Sequence, residues 1–190
     1  MAKTNKKGVI LSPFQEVAIT LSRDYDPQDF FTPSQKKTLG SFQRGETIDD
    51  ARSVSKKTTF RIKYADIKEG ENVWSPESIE NVLPQNYFFP DETTLCAIIM
   101  ELVTCQRTGR KGLLLKSHEP ILVDNLFFLA KRKEMAVRIA TGMAEKPTST
   151  EAVVVRWGPF ISEVPGWYPY SWGKDTGNWN HIRRVFLPGK

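Results

Sequence analysis

The chain has 190 residues, 39% of them hydrophobic and 11% aromatic, which is too much apolar surface for a wholly disordered protein and enough for one domain with a real core. Its formal net charge of +5 is distributed in blocks, +4 over residues 1–61, −6 over 62–103, +5 over 104–146 and +2 over 147–190. Such asymmetry suits an anionic partner or head-to-tail contact between copies of the chain, and the lack of any apolar run of about eighteen residues excludes a membrane-spanning helix.

Residues 1–7 hold Lys3, Lys6 and Lys7 and no acid, the composition of a cationic arm that trails over a polyanion. The apolar stretch that follows is too short for a signal-peptide core. Residues 16–22 alternate polar and apolar side chains and predict a strand. From 22 to 57, Pro27, Pro33, Gly40 and Gly45 interrupt a polar stretch with no sustained apolar period. Residues 1–57 are therefore expected to be a flexible basic and polar arm with one strand, and 58–190 the folded domain.

Within that domain, residues 59–65 alternate with period two, placing Phe60, Ile62 and Tyr64 on one face of a strand and Arg61 and Lys63 on the other. Ser75, Pro76 and Glu77 read as the cap and first turn of a short helix that Pro84 ends. Asp91 caps the next helix, and from 95 to 105 only Glu101 and Thr104 interrupt the apolar residues around its axis, so it is buried on most sides. A lone carboxylate there is expected at the rim of the core. Cys96 and Cys105 fall on nearly opposite sides of this helix and cannot bridge, so both are expected to be free thiols in a reducing compartment, the cytoplasm or nucleus.

Residues 120–146 carry a helical period. Asp124, Lys131, Glu134, Arg138 and Glu145 share one stripe, with Leu122, Leu126, Leu129, Ala136, Ile139 and Ala140 on the opposite arc. Pro147 stops it. Two β-rich segments follow, 151–157 and 181–187, separated by a loop rich in Pro, Gly and Trp. The predicted fold class is α+β, a single compact domain with two main helices and a small, mostly antiparallel sheet behind a partly flexible N-terminal arm.

No metal or cofactor motif is found. His118 and His181 have no metal-ligand spacing, and residues 173–177 lack the glycine and hydroxyl of a phosphate loop. The binding features are clearer. Arg110, Lys111, Arg132, Lys133 and Arg138 could converge on phosphates or an anionic lipid surface. Four of the five tryptophans lie between 157 and 179, and Trp167, Tyr168, Tyr170 and Trp172 interleaved with Arg183 and Arg184 suit stacking on unpaired bases or a protein interface. The expectation is a non-enzymatic structural or assembly protein that self-associates and contacts nucleic acid or an anionic surface, by analogy with a virion matrix or coat subunit or a phage accessory protein. One alternative is a regulator binding one partner protein through its Trp/Arg-rich C-terminal segment. The other is a small enzyme with a loop-built pocket using Glu101, Glu163, Asp175 or His181.

Overall fold

The structure, a computed structural model, describes residues 9–25, 53–68, 79–89, 92–110, 112–118, 123–130, 150–158, 166–172 and 181–190. Seven strands, β1 (Ile10–Leu11), β2 (Gln15–Thr20), β3 (Thr59–Lys68), β4 (Asp124–Ala130), β5 (Thr150–Gly158), β6 (Gly166–Trp172) and β7 (Ile182–Pro188), form one sheet. Among the described residues one long helix, α1 (Glu92–Arg107), lies between β3 and β4 in the chain. The strand order is β1-β3-β7-β4-β5-β6, with β2 also paired to β3. All pairs are antiparallel except β4 with β7, so the sheet is mixed.

This overturns the expectation of two main helices and a small sheet. The helix expected over 120–146 is a strand where it is described: Asp124–Ala130 is β4, the centre of the sheet. Its apolar run does not alternate because the strand is buried on both faces, and a run apolar on every side can be fitted to a helical stripe as readily as to a strand. Residues 120–122 and 131–146 of that predicted helix lie outside the described residues. The Trp-rich stretch read as loop contains β6. Pro169 there is tolerated because β6 ends the strand order, where a missing N–H costs no ladder on the free side.

Both faces of the sheet carry a core. On one, Leu95, Ile98, Ile99 and Leu102 of α1 pack on Ile62, Phe127, Phe186, Val153 and Val155. The rings of Phe127 and Phe186, register partners on β4 and β7, stack at 4.7 Å and 6°. On the other face, Ile79, Leu83 and Tyr87 cover Ala65, Leu126, Phe128, Val154 and Val185, with Tyr87 edge-on to Phe128 at 5.1 Å. A third cluster sets Ala97 and Met100 of α1 against Leu21, Tyr25, Val54 and Phe60, which accounts for a helix apolar nearly all round.

Residues 9–25 thus join the sheet and the core, and 53–58 pack beside them through Leu21 N–H to Thr58 O at 2.9 Å and a Tyr25–Val54 bridge. Residues 1–8 and 26–52 of the expected arm lie outside the described residues. Between β1 and β2 the register against β3 slips by one at Pro13, and the Ser12 hydroxyl accepts the Asp66 N–H at 2.8 Å in place of a strand carbonyl. A second slip, between Asp124 and Asn125, leaves Arg183 as the extra residue of β7. Arg184 is thereby set beside Asn125 and opposite Asp66.

Two polar pairs follow from this register, the first buried and the second at the rim. Asp124 and Arg156, directly opposite on β4 and β5, form a two-pronged ion pair at 2.5 and 2.6 Å. Arg184 donates to Asp66 at 2.6 Å and to the Leu113 carbonyl, with its guanidinium 4.6 Å from the Tyr64 ring.

Candidate anion-binding surface

The second half of α1 places Glu101 where the segment 21–25 crosses the helix. Its carboxylate is 0% exposed, against the rim position expected from sequence. One oxygen accepts the Ser22 N–H at 3.0 Å, the Ser22 hydroxyl at 2.9 Å and the Tyr25 hydroxyl at 2.6 Å. The other accepts Arg110 at 2.7 Å and lies 3.6 Å from the Cys105 thiol. Burial alone would raise the carboxyl's pKa, but the donors from Ser22, Tyr25 and Arg110 together outweigh it and hold Glu101 below its ordinary range. Tyr25 moves the opposite way, pushed up first by burial and then by its bond to that carboxylate. Burial also pushes up the Cys105 thiol, with Arg110 acting against the shift.

Two arginines meet at this hub. Gly109, at φ 71, is the left-handed residue that turns the chain off the end of α1, and it delivers Arg110 back to Glu101. Arg110 stays 45% exposed and also donates to the Thr108 hydroxyl at 3.2 Å. From the other side, the guanidinium of exposed Arg23 lies 4.9 Å from the Tyr25 ring centroid. One buried carboxylate therefore orders two surface guanidinium groups, one directly and one through a phenol. Planar guanidinium forks held in place are suited to phosphate oxygens.

Beyond Arg110 the loop 112–118 is fastened to α1 and the sheet by three side chains. Gln106 donates to the Leu114 carbonyl, Arg184 to the Leu113 carbonyl, and Asn125 takes the Leu115 N–H at 2.8 Å while donating to its carbonyl at 3.0 Å. Lys116 leaves this loop with its ammonium 3.9 Å from the ring centroid of Trp157. Trp157, half-buried at the end of β5, meets buried Trp167 at 5.3 Å and 65°.

Of the residues expected to bind a partner, only Arg110 belongs to the hub. Lys3, Lys6, Lys7, Lys111, Arg132, Lys133 and Arg138 lie outside the described residues. Trp167 is 4% exposed in the helix-side core, and Arg184 is held by Asp66, Leu113 and Tyr64. Arg183 is the half-buried bulge residue. Tyr168, Tyr170 and Trp172 supply β6 backbone in register with Arg156, Val154 and Ala152.

Among the residues of the enzymatic alternative, Glu101 is the hub, His181 accepts the Asp124 N–H at 2.7 Å through its carbonyl, and Glu163 and Asp175 lie outside the described residues. No three His, Cys, Asp or Glu side chains converge as metal ligands among the described residues, and no described helix is long and apolar enough to cross a membrane.

Sequence reasoning missed Arg23, Tyr25 and Lys116. The first two carry no local signal, since their partner lies far along the chain. Lys116 had one: residues 106–118 contain Arg107, Arg110, Lys111 and Lys116 and no carboxylate. Comparison with protein-family models, with curated proteins and with solved structures finds no match to this chain.

Proposed function

We propose that this chain is a non-enzymatic assembly protein, a subunit of the matrix or coat kind, that binds nucleic acid through its phosphates and associates with copies of itself. The observation that carries the reading is the pair Arg23 and Arg110, both ordered by the Glu101–Tyr25 unit and both at the surface. A binding role rather than a catalytic one is supported by the state of Glu101. Its oxygens already accept from Ser22, Tyr25 and Arg110, which suits a fixed counter-charge better than a proton shuttle.

Self-association is supported by the alternation of acidic and basic blocks along the chain. Pro169 lies in β6, at one end of the strand order, and Pro13 between β1 and β2 at the other, where each opposes strand addition, so the contacts between copies are assigned to charged surfaces. Cys96 and Cys105 form no disulfide, which suits a reducing compartment, cytoplasmic or nuclear, or the interior of a virion.

The test is a salt series. Affinity for nucleic acid should fall steeply as salt rises, and Arg110→Ala or Arg23→Ala should each flatten the log–log slope by about one. Sedimentation should show a concentration-dependent rise in mass. Absence of nucleic-acid binding at about 50 mM salt, where electrostatic binding is strong, overturns the reading. Binding to anionic vesicles alone would move the partner to a lipid surface, and capture of one protein with neither would move it to a regulatory partner.

A further inference from the structure

The loop 112–118 is short, exposes Lys116 and His118, and is nevertheless tied down at three consecutive carbonyls by Gln106, Asn125 and Arg184. Asn125 is fully buried and clamps both polar groups of Leu115 while donating to the Val155 carbonyl at 3.0 Å. A surface loop pinned from below in this way presents its outward side chains at fixed positions. Two cations belong to this stretch, Arg110 just before the loop and Lys116 within it. Six residues of chain span at most about 20 Å, so the two charges fall within the length of a few nucleotides, inside the site size of about 4 to 16 nucleotides typical of a single-strand binding domain.

Half-buried Trp157 lies beside this loop. Its indole meets the buried ring of Trp167 at 5.3 Å, and the Lys116 ammonium lies over it 3.9 Å from the ring centroid. An ammonium on the face of a half-buried indole is held no more firmly than an unpaired base stacked on the same face. Exchange of one for the other would release Lys116 toward the phosphate next to that base.

We infer that Arg110, the loop 112–118 and Trp157 form a track for single-stranded nucleic acid, in which Arg110 and Lys116 take phosphates and the Trp157 indole takes an unstacked base. The inference rests on the phosphate-binding reading above and narrows it from polyanions in general to unpaired strands. A duplex offers the same phosphates but keeps its base faces stacked, so it can engage the cations and not the indole.

Oligo(dT), a duplex of equal length and anionic phosphatidylserine vesicles are titrated against the full chain, following tryptophan emission and anisotropy across a salt series. The expected result is tighter binding of oligo(dT) than of duplex, with emission quenching that is lost in Trp157→Phe. Trp157→Leu should weaken oligo(dT) binding about 5- to 150-fold, the range for loss of one stacked base, with the salt slope unchanged. Lys116→Ala, at an exposed position that leaves the core intact, should flatten the slope by about one. It guards the test against a Trp157→Leu chain that fails to fold. If oligo(dT) and duplex bind alike and Trp157→Phe quenches as the wild type does, the track is overturned while phosphate binding stands. If neither nucleic acid binds, or only the vesicles do, both readings fall together.

Discussion

The hydroxyl of Tyr25 donates to the carboxylate of Glu101 at 2.6 Å across 76 positions of sequence, inside a core where that carboxylate is fully shielded from water. The bond joins the segment leaving β2 to the helix that covers the sheet. Replacing Glu101 by Ala would take the acceptor from the Ser22 N–H, the Ser22 hydroxyl and Arg110 and leave the Tyr25 hydroxyl only its longer bond to Thr104 at 3.2 Å, and a polar group shielded from water that loses its acceptor costs about 1–3 kcal/mol. Glu101→Ala is therefore expected to lower stability by about 3 kcal/mol, and Tyr25→Phe, which removes one donor, by about 1–2 kcal/mol. Urea denaturation of the two variants against the wild type checks the order.

The same carboxylate predicts an acid dependence. Its folded pKa lies below the ordinary 4.5 because the hydrogen bonds from Ser22, Tyr25 and Arg110 outweigh burial. A lowered folded value means that the stabilisation is fully present above the unfolded pKa and is lost as pH falls through the folded one. The stability gap between wild type and Glu101→Gln should therefore be constant from about pH 7 to about pH 5 and shrink below that. A gap unchanged down to about pH 3 would show that the charge of Glu101 contributes nothing to folding.

The ion pair of Asp124 and Arg156 lies under the opposite core, with Asp124 fully buried. Breaking such a pair leaves one uncompensated charge in the interior, at a cost of about 3–5 kcal/mol, whereas replacing both members with apolar side chains is often neutral. Asp124→Leu alone should thus lower the thermal midpoint sharply, and Asp124→Leu with Arg156→Met should recover most of the loss. Equal destabilisation by the single and double variants would contradict the account.

Trp167 tests the division between core and surface. Truncating a buried tryptophan costs about 3–5 kcal/mol, so Trp167→Ala should fall in that range while leaving the salt slope of nucleic-acid binding unchanged in the fraction that folds. Differential scanning calorimetry paired with the salt series separates the two effects.

At Gly109 the prediction concerns the backbone alone. Its φ of 71 is a left-handed conformation, and a Cβ added there would meet nothing within 4 Å. The cost of Gly109→Ala is therefore conformational, about 1–2 kcal/mol, and the variant should also loosen Arg110 from Glu101. Lys57, at φ 72, is the reverse case. Lys57→Gly should stabilise by about 1 kcal/mol, measurable as a raised urea midpoint.

What the residues settled on their own is the local part of the molecule. Alternation in β3, the acidic start and all-round apolar body of α1, and the β-branched run of β5 each follow from a period that one segment carries complete. The strand at 124–130 was illegible for a physical reason: it has neighbours on both sides and cores on both faces, so nothing in it alternates. Pro169 hid β6 in the same way, because whether a proline is compatible with a strand depends on whether that strand ends the sheet. Only tertiary structure decided the hub. A carboxylate in an apolar helix is, from sequence, an exposed rim group or a buried charge, and the choice was made by Ser22, Tyr25 and Arg110, two of them more than seventy positions away. Only tertiary structure, likewise, sorted the aromatic and basic residues, drawing Trp167 and Arg184 into the fold and leaving Arg110, Arg23 and Lys116 at its surface. Local pattern reports the period a segment must satisfy, and burial is conferred by partners that the pattern does not name.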